Sequence, residues 1–328
     1  MTIQKLDDGI FVDTAKIGKI KSIDAVIFDC DGVLIDISNS YDLAIKKTVD
    51  FILKEMQSID LPKIVNTKMI DGFKATGGFN DEVDVTYSLI LSVVAAQKLH
   101  RNVSEFIFDV IENADQTGIL SVEKYLDTLD VDISEIRKKL AYPGPHDTNP
   151  LYSVFDEIFY GANLYYELYK RKPKFFDGTG LIDNDVVLLK KELIEKLRKK
   201  FGKKISIVSG RGLVSTKYSL KILFDEFDLK NSRFLEDESR EFAKPNPQSL
   251  MSSIKGLESS CCMFVGDSVE DFIMARKSDE LGNKTIFCAI YGTSKEPETK
   301  RKLFEQKNTD IILESIDLIP KTLNLVET

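Results

Sequence analysis

The sequence predicts an α/β protein: a doubly wound parallel sheet with a second, helical domain inserted after the first core strand. Three observations carry this expectation. Five short apolar runs, "AVIFD" at 25–29, "ISIVSG" at 205–210, "CCMFVGD" at 261–267, "TIFCAI" at 285–290 and "DIIL" at 310–313, read as strands buried on both faces because they show no alternation. Helical segments separate the later runs, and strand alternating with amphipathic helix is the pattern of a parallel sheet wrapped by helices. Between about Ser38 and Lys174 that alternation stops and the sequence reads as helices alone. The expected division is an α/β core of residues 1–36 and 175–328 and a helical domain of residues 37–174.

Taken in order, the first twenty residues, with "DDG" at 7–9, predict a small appended hairpin or arm. The first core strand then runs into Asp29 and Asp31. A buried strand cannot hold a bare charge cheaply, so both carboxylates belong past its C-terminal end, on the rim where open α/β sheets keep their ligands. The helical domain follows, through "YDLAIKKTVDFILKEM", "VTYSLILSVVAAQKLH", "SVEKYLDTLD" and "SVFDEIFYGANLYYELYK", with turn chemistry at both borders, "ISNS" at 37–40 and "KPKFFDGTG" at 172–180. Because the chain leaves the core just past Asp36 and returns before the second core strand, this domain is expected to stand over the rim that bears Asp29 and Asp31.

Inside the helical domain, "FKATGGFNDEVD" at 73–84 interrupts helix with two glycines and an Asn-Asp pair. From the residues alone it reads as an ordinary interhelical turn with Asn80 or Asp81 as N-cap. "AYPGPHDTNP" at 141–150, with His146, reads as a rigid connection, and the tyrosines of 160–169 as helix packing. Back in the core, "VVLLKKELIEKLRKKF" at 186–201 puts Leu189, Leu193, Leu197 and Phe201 on or near one helical face, with Asp183 and Asp185 as N-cap candidates.

At 328 residues, 43% hydrophobic and 30% charged, the chain can bury a substantial core. A net charge of -8 argues against nucleic acid or an anionic membrane as partner, and leaves room for a local basic pocket for one small anion. No run is long and apolar enough to span a bilayer, and "MTIQKLDDGI" lacks the features of a secretory signal, so a cytoplasmic protein is expected. Cys30, Cys261, Cys262 and Cys288 suit reduced thiols, and two histidines, His100 and His146, give a zinc site or a serine-histidine-acid triad little material.

Each later core strand also ends in chemistry: Ser209 and Gly210 after the second, Asp267 after the third with Asp271 one helical turn on, and Lys244 in the "KPNP" that lies between them. In a parallel sheet all strand C-termini share one rim, so these residues can converge with Asp29 and Asp31. Clustered aspartates stay ionised together only around a cation, and Mg²⁺ prefers such hard oxygen ligands. A carboxylate can attack phosphorus covalently, a serine hydroxyl, the Gly210 N–H and an ammonium can hold phosphoryl oxygens, and a second acid can handle the leaving group's proton.

In this order, "DCDGVLID", "IVSGR", "KPNP" and "GDSVED" resemble the four motifs of the haloacid dehalogenase (HAD) superfamily, and an insert just after the first motif resembles the helical C1 cap of its subfamily I. The resemblance implies a Rossmann-like core with a cap domain, and Mg²⁺-dependent hydrolysis of a small phosphorylated metabolite through an aspartyl-phosphate. It implies Asp29 as nucleophile and metal ligand, Asp31 as general acid/base whose main-chain carbonyl also binds the metal, and Ser209 and Lys244 as phosphoryl holders. Asp267 would bind Mg²⁺, Asp271 would support the metal or orient Lys244, and the 73–84 loop resembles the family's specificity loop, which would make Lys74, Asn80 and Asp84 substrate contacts as the alternative to a plain turn. Asp31 also points to phosphate esters, since the superfamily's dehalogenases lack this acid. A sugar phosphomutase using the same residues and a non-catalytic binding protein of the same fold stay open as alternatives. Taken alone, "GDSVED" reads equally as a helix start, with Ser268 or Asp267 capping and Glu270 or Asp271 near the dipole's positive end.

Overall fold

The structure is a computed structural model, and it describes residues 3–79, 81–144 and 148–327. The chain divides into two compact units, one made of the residues up to Asp36 and from Val186 onward, the other of Ile37–Asp185. The return to the first unit falls at Val186 and not at the turn around 175, because Leu181 and Ile182 are buried in the hydrophobic cluster of the helical unit.

The strands of the first unit are β1 (Ile3–Asp7), β2 (Ile10–Asp13), β3 (Ala25–Phe28), β4 (Ile35–Asp36), β5 (Val186–Val187), β6 (Ile205–Ser209), β7 (Arg233–Phe234), β8 (Cys262–Gly266), β9 (Thr285–Ile290) and β10 (Ile311–Leu313). Among the described residues eight of them form one sheet in the order β1-β2-β10-β9-β8-β3-β6-β7, parallel from β10 through β7. The runs that lack alternation are the strands of its interior: every residue of β3, β6, β8 and β9 is buried, as a sheet covered on both faces requires. The N-terminal segment forms the hairpin β1–β2, which joins the sheet by antiparallel pairing of β2 with β10. All four cysteines are buried and outside any disulfide.

The stretch 186–201 is not one helix. Val186–Val187 pair antiparallel with Ile35–Asp36, Leu188 N donates to Leu34 O, and the helix is confined to Lys191–Phe201. Its N-cap is Lys190, whose side chain makes no cap hydrogen bond; Asp183 lies in a 3₁₀ turn (Leu181–Asn184) and Asp185 just beyond it. A β-branched pair beside an available strand edge takes ladder hydrogen bonds where periodicity alone suggests a first helical turn. The apolar face of the helix is as expected, with Leu193, Leu197 and Phe201 buried.

The helical unit holds Tyr41–Gln57, Thr67–Ala75, Glu82–Lys98, Val103–Glu112, Ile119–Asp127, Ser134–Leu140 and Pro150–Tyr169. Four of these seven starts are written in cap chemistry: Asn66, Asp81, Asn102 and Asn149 each accept a backbone N–H of the first turn. Glu82–Lys98 is its buried centre, with fourteen of its residues, Val83 through Ala96, out of solvent. Pro150–Tyr169 is kinked at Gly161, whose φ of 70° no β-carbon residue adopts readily and whose backbone lies against Gly180. No helix among the described residues is long and apolar enough to cross a membrane.

Candidate active site

The register of the sheet sets the site. β3 lies between β6 and β8, with Phe28 opposite Ile207 on one side and Val265 on the other, and Asp29 N donates to Val265 O at 2.8 Å. Asp29, Ser209 and Asp267 therefore stand at the C-terminal ends of three adjacent strands, whose spacing in a sheet is about 4.8 Å. Beyond Asp29 the chain turns back at once: Val33, Leu34 and Ile35 N all donate to Cys30 O, and Gly32 N donates to Ile35 O. Gly32 takes φ 72°, and a Cβ there would come within 2.5 Å of Asp267 Cγ, so the turn needs glycine both for its backbone and for the approach of that carboxylate.

Lys244 is the hub of the cluster. Its Nζ lies 2.6 Å from Asp29 Oδ1 and 2.7 Å from Asp271 Oδ1, with all three side chains nearly excluded from water. Burial pulls the ammonium's pKa down, but attraction to Asp271 and Asp29 more than offsets it, and the group is held firmly protonated. For Asp29 burial is the largest influence and pushes its pKa well up; Lys244 draws it back, and Asp271, Asp267 and Asp31 push it up further. Asp271 is divided between two tasks. While Oδ1 meets Lys244, Oδ2 accepts from Asp267 N, Ser268 N and Ser268 Oγ, and Ser268 Oγ accepts from Asp271 N in a capping box that opens the helix Val269–Glu280.

Asp29, Asp267 and Asp271 each offer a carboxylate oxygen, and these oxygens all lie within 4.8 Å of one another. Three carboxylates this close, with Asp31 near enough to raise Asp29 further, stand against two ammoniums, Lys244 and Lys300, and keep a surplus of negative charge. Hard oxygen donors around surplus negative charge fit a divalent cation of the Mg²⁺ type.

Of the other residues singled out by sequence, Asp31 follows Asp29 at the turn and meets Arg211, whose Nε is 3.1 Å from Asp31 Oδ1. Ser209 ends β6, fully buried, and its Oγ accepts from Arg211 N at 3.2 Å; Gly210 follows it, partly exposed. Lys74 belongs to the helical unit, in the last turn of Thr67–Ala75, where it pairs with Glu82 at 3.0 Å. Asp81 is the N-cap of the helix that follows, accepting from Val83 N, and Asp84 accepts from Tyr142 Oη at 2.5 Å. Asn80 and His146 lie outside the described residues.

Three residues at the rim carry no role from sequence reasoning. Arg211, fully buried, also donates from Nη1 to Ser219 Oγ; it is visible as the last letter of "IVSGR". Thr293 Oγ1 donates to Gly32 O at 2.8 Å, and Lys300 Nζ lies 2.6 Å from Asp267 Oδ2. Neither of the last two belongs to a recognisable motif.

A family profile described as haloacid dehalogenase-like hydrolase matches residues 23–279. No curated protein matches the chain by sequence. Among solved structures, phosphatase Tt82 from Thermococcus thioreducens is similar over 85% of this chain and 98% of its own, with a TM-score of 0.55 and 20% identity. Northeast Structural Genomics Consortium target ZR25 is similar over 92% and 98%, with a TM-score of 0.61 and 16% identity. At such identities the likeness is one of fold.

Proposed function

Because the chain belongs to the haloacid dehalogenase-like hydrolases, we propose that it hydrolyses a small phosphorylated metabolite, a phosphomonoester, with Asp29 as nucleophile and Mg²⁺ as cofactor. The observation that carries the reading is the buried chain of contacts from Asp29 through Lys244 to Asp271, set beside Asp267 at the ends of adjacent strands. A buried carboxylate held by a protonated lysine, and surrounded by more negative charge than that lysine offsets, is an arrangement for binding a phosphoryl group together with a cation.

In this mechanism Ser209 Oγ, the Gly210 N–H and the Lys244 ammonium hold the phosphoryl oxygens. An Asp29 oxygen forms a bond to phosphorus as the ester P–O bond breaks, and Asp31 gives its proton to the leaving alkoxide. Water then passes a proton to Asp31 and attacks the same phosphorus; the bond to Asp29 breaks and inorganic phosphate leaves. Asp29, Asp267, Asp271 and the Asp31 carbonyl would hold Mg²⁺, which when bound would supply charge neutralisation at the phosphoryl group. Arg211 fixes the direction of the Asp31 carboxylate.

The test is phosphate release from a panel of phosphomonoesters, with Mg²⁺ or with EDTA, by the wild type and Asp29→Asn. Metal-dependent release that the substitution abolishes is expected. No release from any ester, or release by Asp29→Asn at the wild-type rate, overturns the reading; isomerised product without free phosphate turns it to a mutase.

A further inference from the structure

The carboxylate rim also receives side chains from beyond residue 279, where the family match ends. Lys300, on the helix Pro297–Gln306, reaches Asp267 with an Nζ–Oδ2 distance of 2.6 Å. Thr293, in the loop after β9, anchors the Gly32 carbonyl, and Gly32 in turn presses its bare Cα side against the Asp267 carboxylate. Asp267 is thus enclosed between a glycine turn that this late segment braces and an ammonium that the same segment delivers.

The pair is about one-fifth exposed on each side, a setting in which an isolated ion pair adds little to stability. Its larger effect falls on what else Asp267 can bind. An ammonium at hydrogen-bond distance takes up one of the carboxylate's lone pairs, offsets the charge that makes it a donor, and repels a dication approaching the same group. Lys244 is already committed to Asp29 and Asp271, so with Lys300 on Asp267 each carboxylate of the candidate metal cluster has a lysine against it.

We propose that Lys300 is a tethered cation that competes with the divalent ion for Asp267 and thereby lowers the metal affinity of the site. It is a positioning residue: it acts on Asp267 and takes no part in bond making. The inference rests on the metal reading above, and it gives the segment after residue 279 a task of its own. A site weakened in this way exchanges its ion readily and answers to the free Mg²⁺ concentration instead of holding the metal permanently.

The experiment is direct titration of Mg²⁺ alone by calorimetry, and of Mn²⁺ alone by the signal of the free ion, into the full chain without substrate. Wild type, Lys300→Met, Lys300→Arg and Asp267→Asn are compared. Lys300→Met keeps the aliphatic stem and removes the charge; it is expected to bind either ion at least about tenfold more tightly, the scale on which a unit charge a few ångströms away acts on a dication near a protein surface. Lys300→Arg, which restores the charge, is expected to stay near wild type, a recovery that a purely structural role of the stem does not require. Unchanged or weaker binding by Lys300→Met, in a wild type whose binding Asp267→Asn abolishes, overturns the inference and leaves the metal reading standing. A wild type that binds neither ion, or an Asp267→Asn variant that binds as well as wild type, overturns both. A melting curve without metal checks that Lys300→Met is folded, and Lys300→Gln serves as a second charge-removing variant judged by the same criteria.

Discussion

Lys244 Nζ lies 2.7 Å from Asp271 Oδ1, and the two side chains are only 2% and 0% exposed. An ammonium buried this completely cannot be removed without leaving both Asp271 and Asp29 unbalanced. Lys244→Met is therefore expected to lose phosphate release and to cost about 3–5 kcal/mol of stability in EDTA. Urea unfolding measures the cost, and millimolar Mg²⁺ should recover part of it, since a dication can replace the missing charge. A variant as stable as the wild type would contradict the burial argument.

Asp29→Asn should separate activity from stability. Burial first, and then Asp271, Asp267 and Asp31, hold the folded-state pKa of Asp29 above its unfolded value, with Lys244 opposing them. A carboxyl with a raised folded pKa favours the fold below the unfolded pKa, near 4, and works against it once pH rises past that point. At pH 7 in EDTA the variant should thus melt at or above the wild-type temperature, although its phosphate release falls by about a thousandfold or more. The difference in melting temperature should shrink as pH drops below about 4. A variant several degrees less stable at pH 7 would show that Asp29 is held chiefly by Lys244.

Asp24 has the opposite sign. Burial raises its pKa, but Ser259 Oγ, the N–H and hydroxyl of Ser260 and the Cys261 N–H together prevail and lower it to about 2. A depressed carboxylate pKa contributes stability that is fully present above the unfolded value near 4 and disappears as pH falls toward 2. With its side chain one-third exposed the contribution is screened to about 1–2 kcal/mol. Asp24→Asn should be less stable than wild type by that amount at pH 7 and indistinguishable from it near pH 2, in denaturant melts run across the range.

Gly32→Ala tests the turn after Asp31. A β-carbon at φ 72° costs about 1–3 kcal/mol, and here it also pushes on the Asp267 carboxyl carbon from 2.5 Å. Stability should fall by that amount, and Mg²⁺ binding measured by titration should weaken with it, because Asp267 has to move. Weakened binding with unchanged stability, or the reverse, would mean that strain and carboxylate displacement are not linked at this glycine.

The parts of this molecule that sequence alone reveals are those written in local chemistry. A strand buried on both faces writes itself as a bare apolar run, so the interior strands β3, β6, β8 and β9 and the polar residues at their ends can be read directly. The helix start at Ser268 and the N-cap at Asp81 are equally local. What escapes is decided by distant partners. Val186 and Val187 continue smoothly into a helical pattern, and only the edge offered by Ile35 and Asp36 makes them a strand. Lys300 is one of several basic residues on the surface helix "PETKRKLFEQ", and nothing in that string singles out the one that meets Asp267, 33 positions earlier. Arg211 stands in view beside Ser209, yet its burial against Asp31 follows from packing and from no periodicity.

The pairing of β2 with β10 has a consequence for how the molecule comes into being. Val12 lies opposite Ile311, so an early strand of this sheet waits for a partner made long after it. Until the ribosome has delivered β10, the hairpin β1–β2 has no place in the sheet, and the outer edge of β9 lies open. The hairpin is the clasp of the sheet, and it can fasten only once β10, the neighbour it pairs with, has been made.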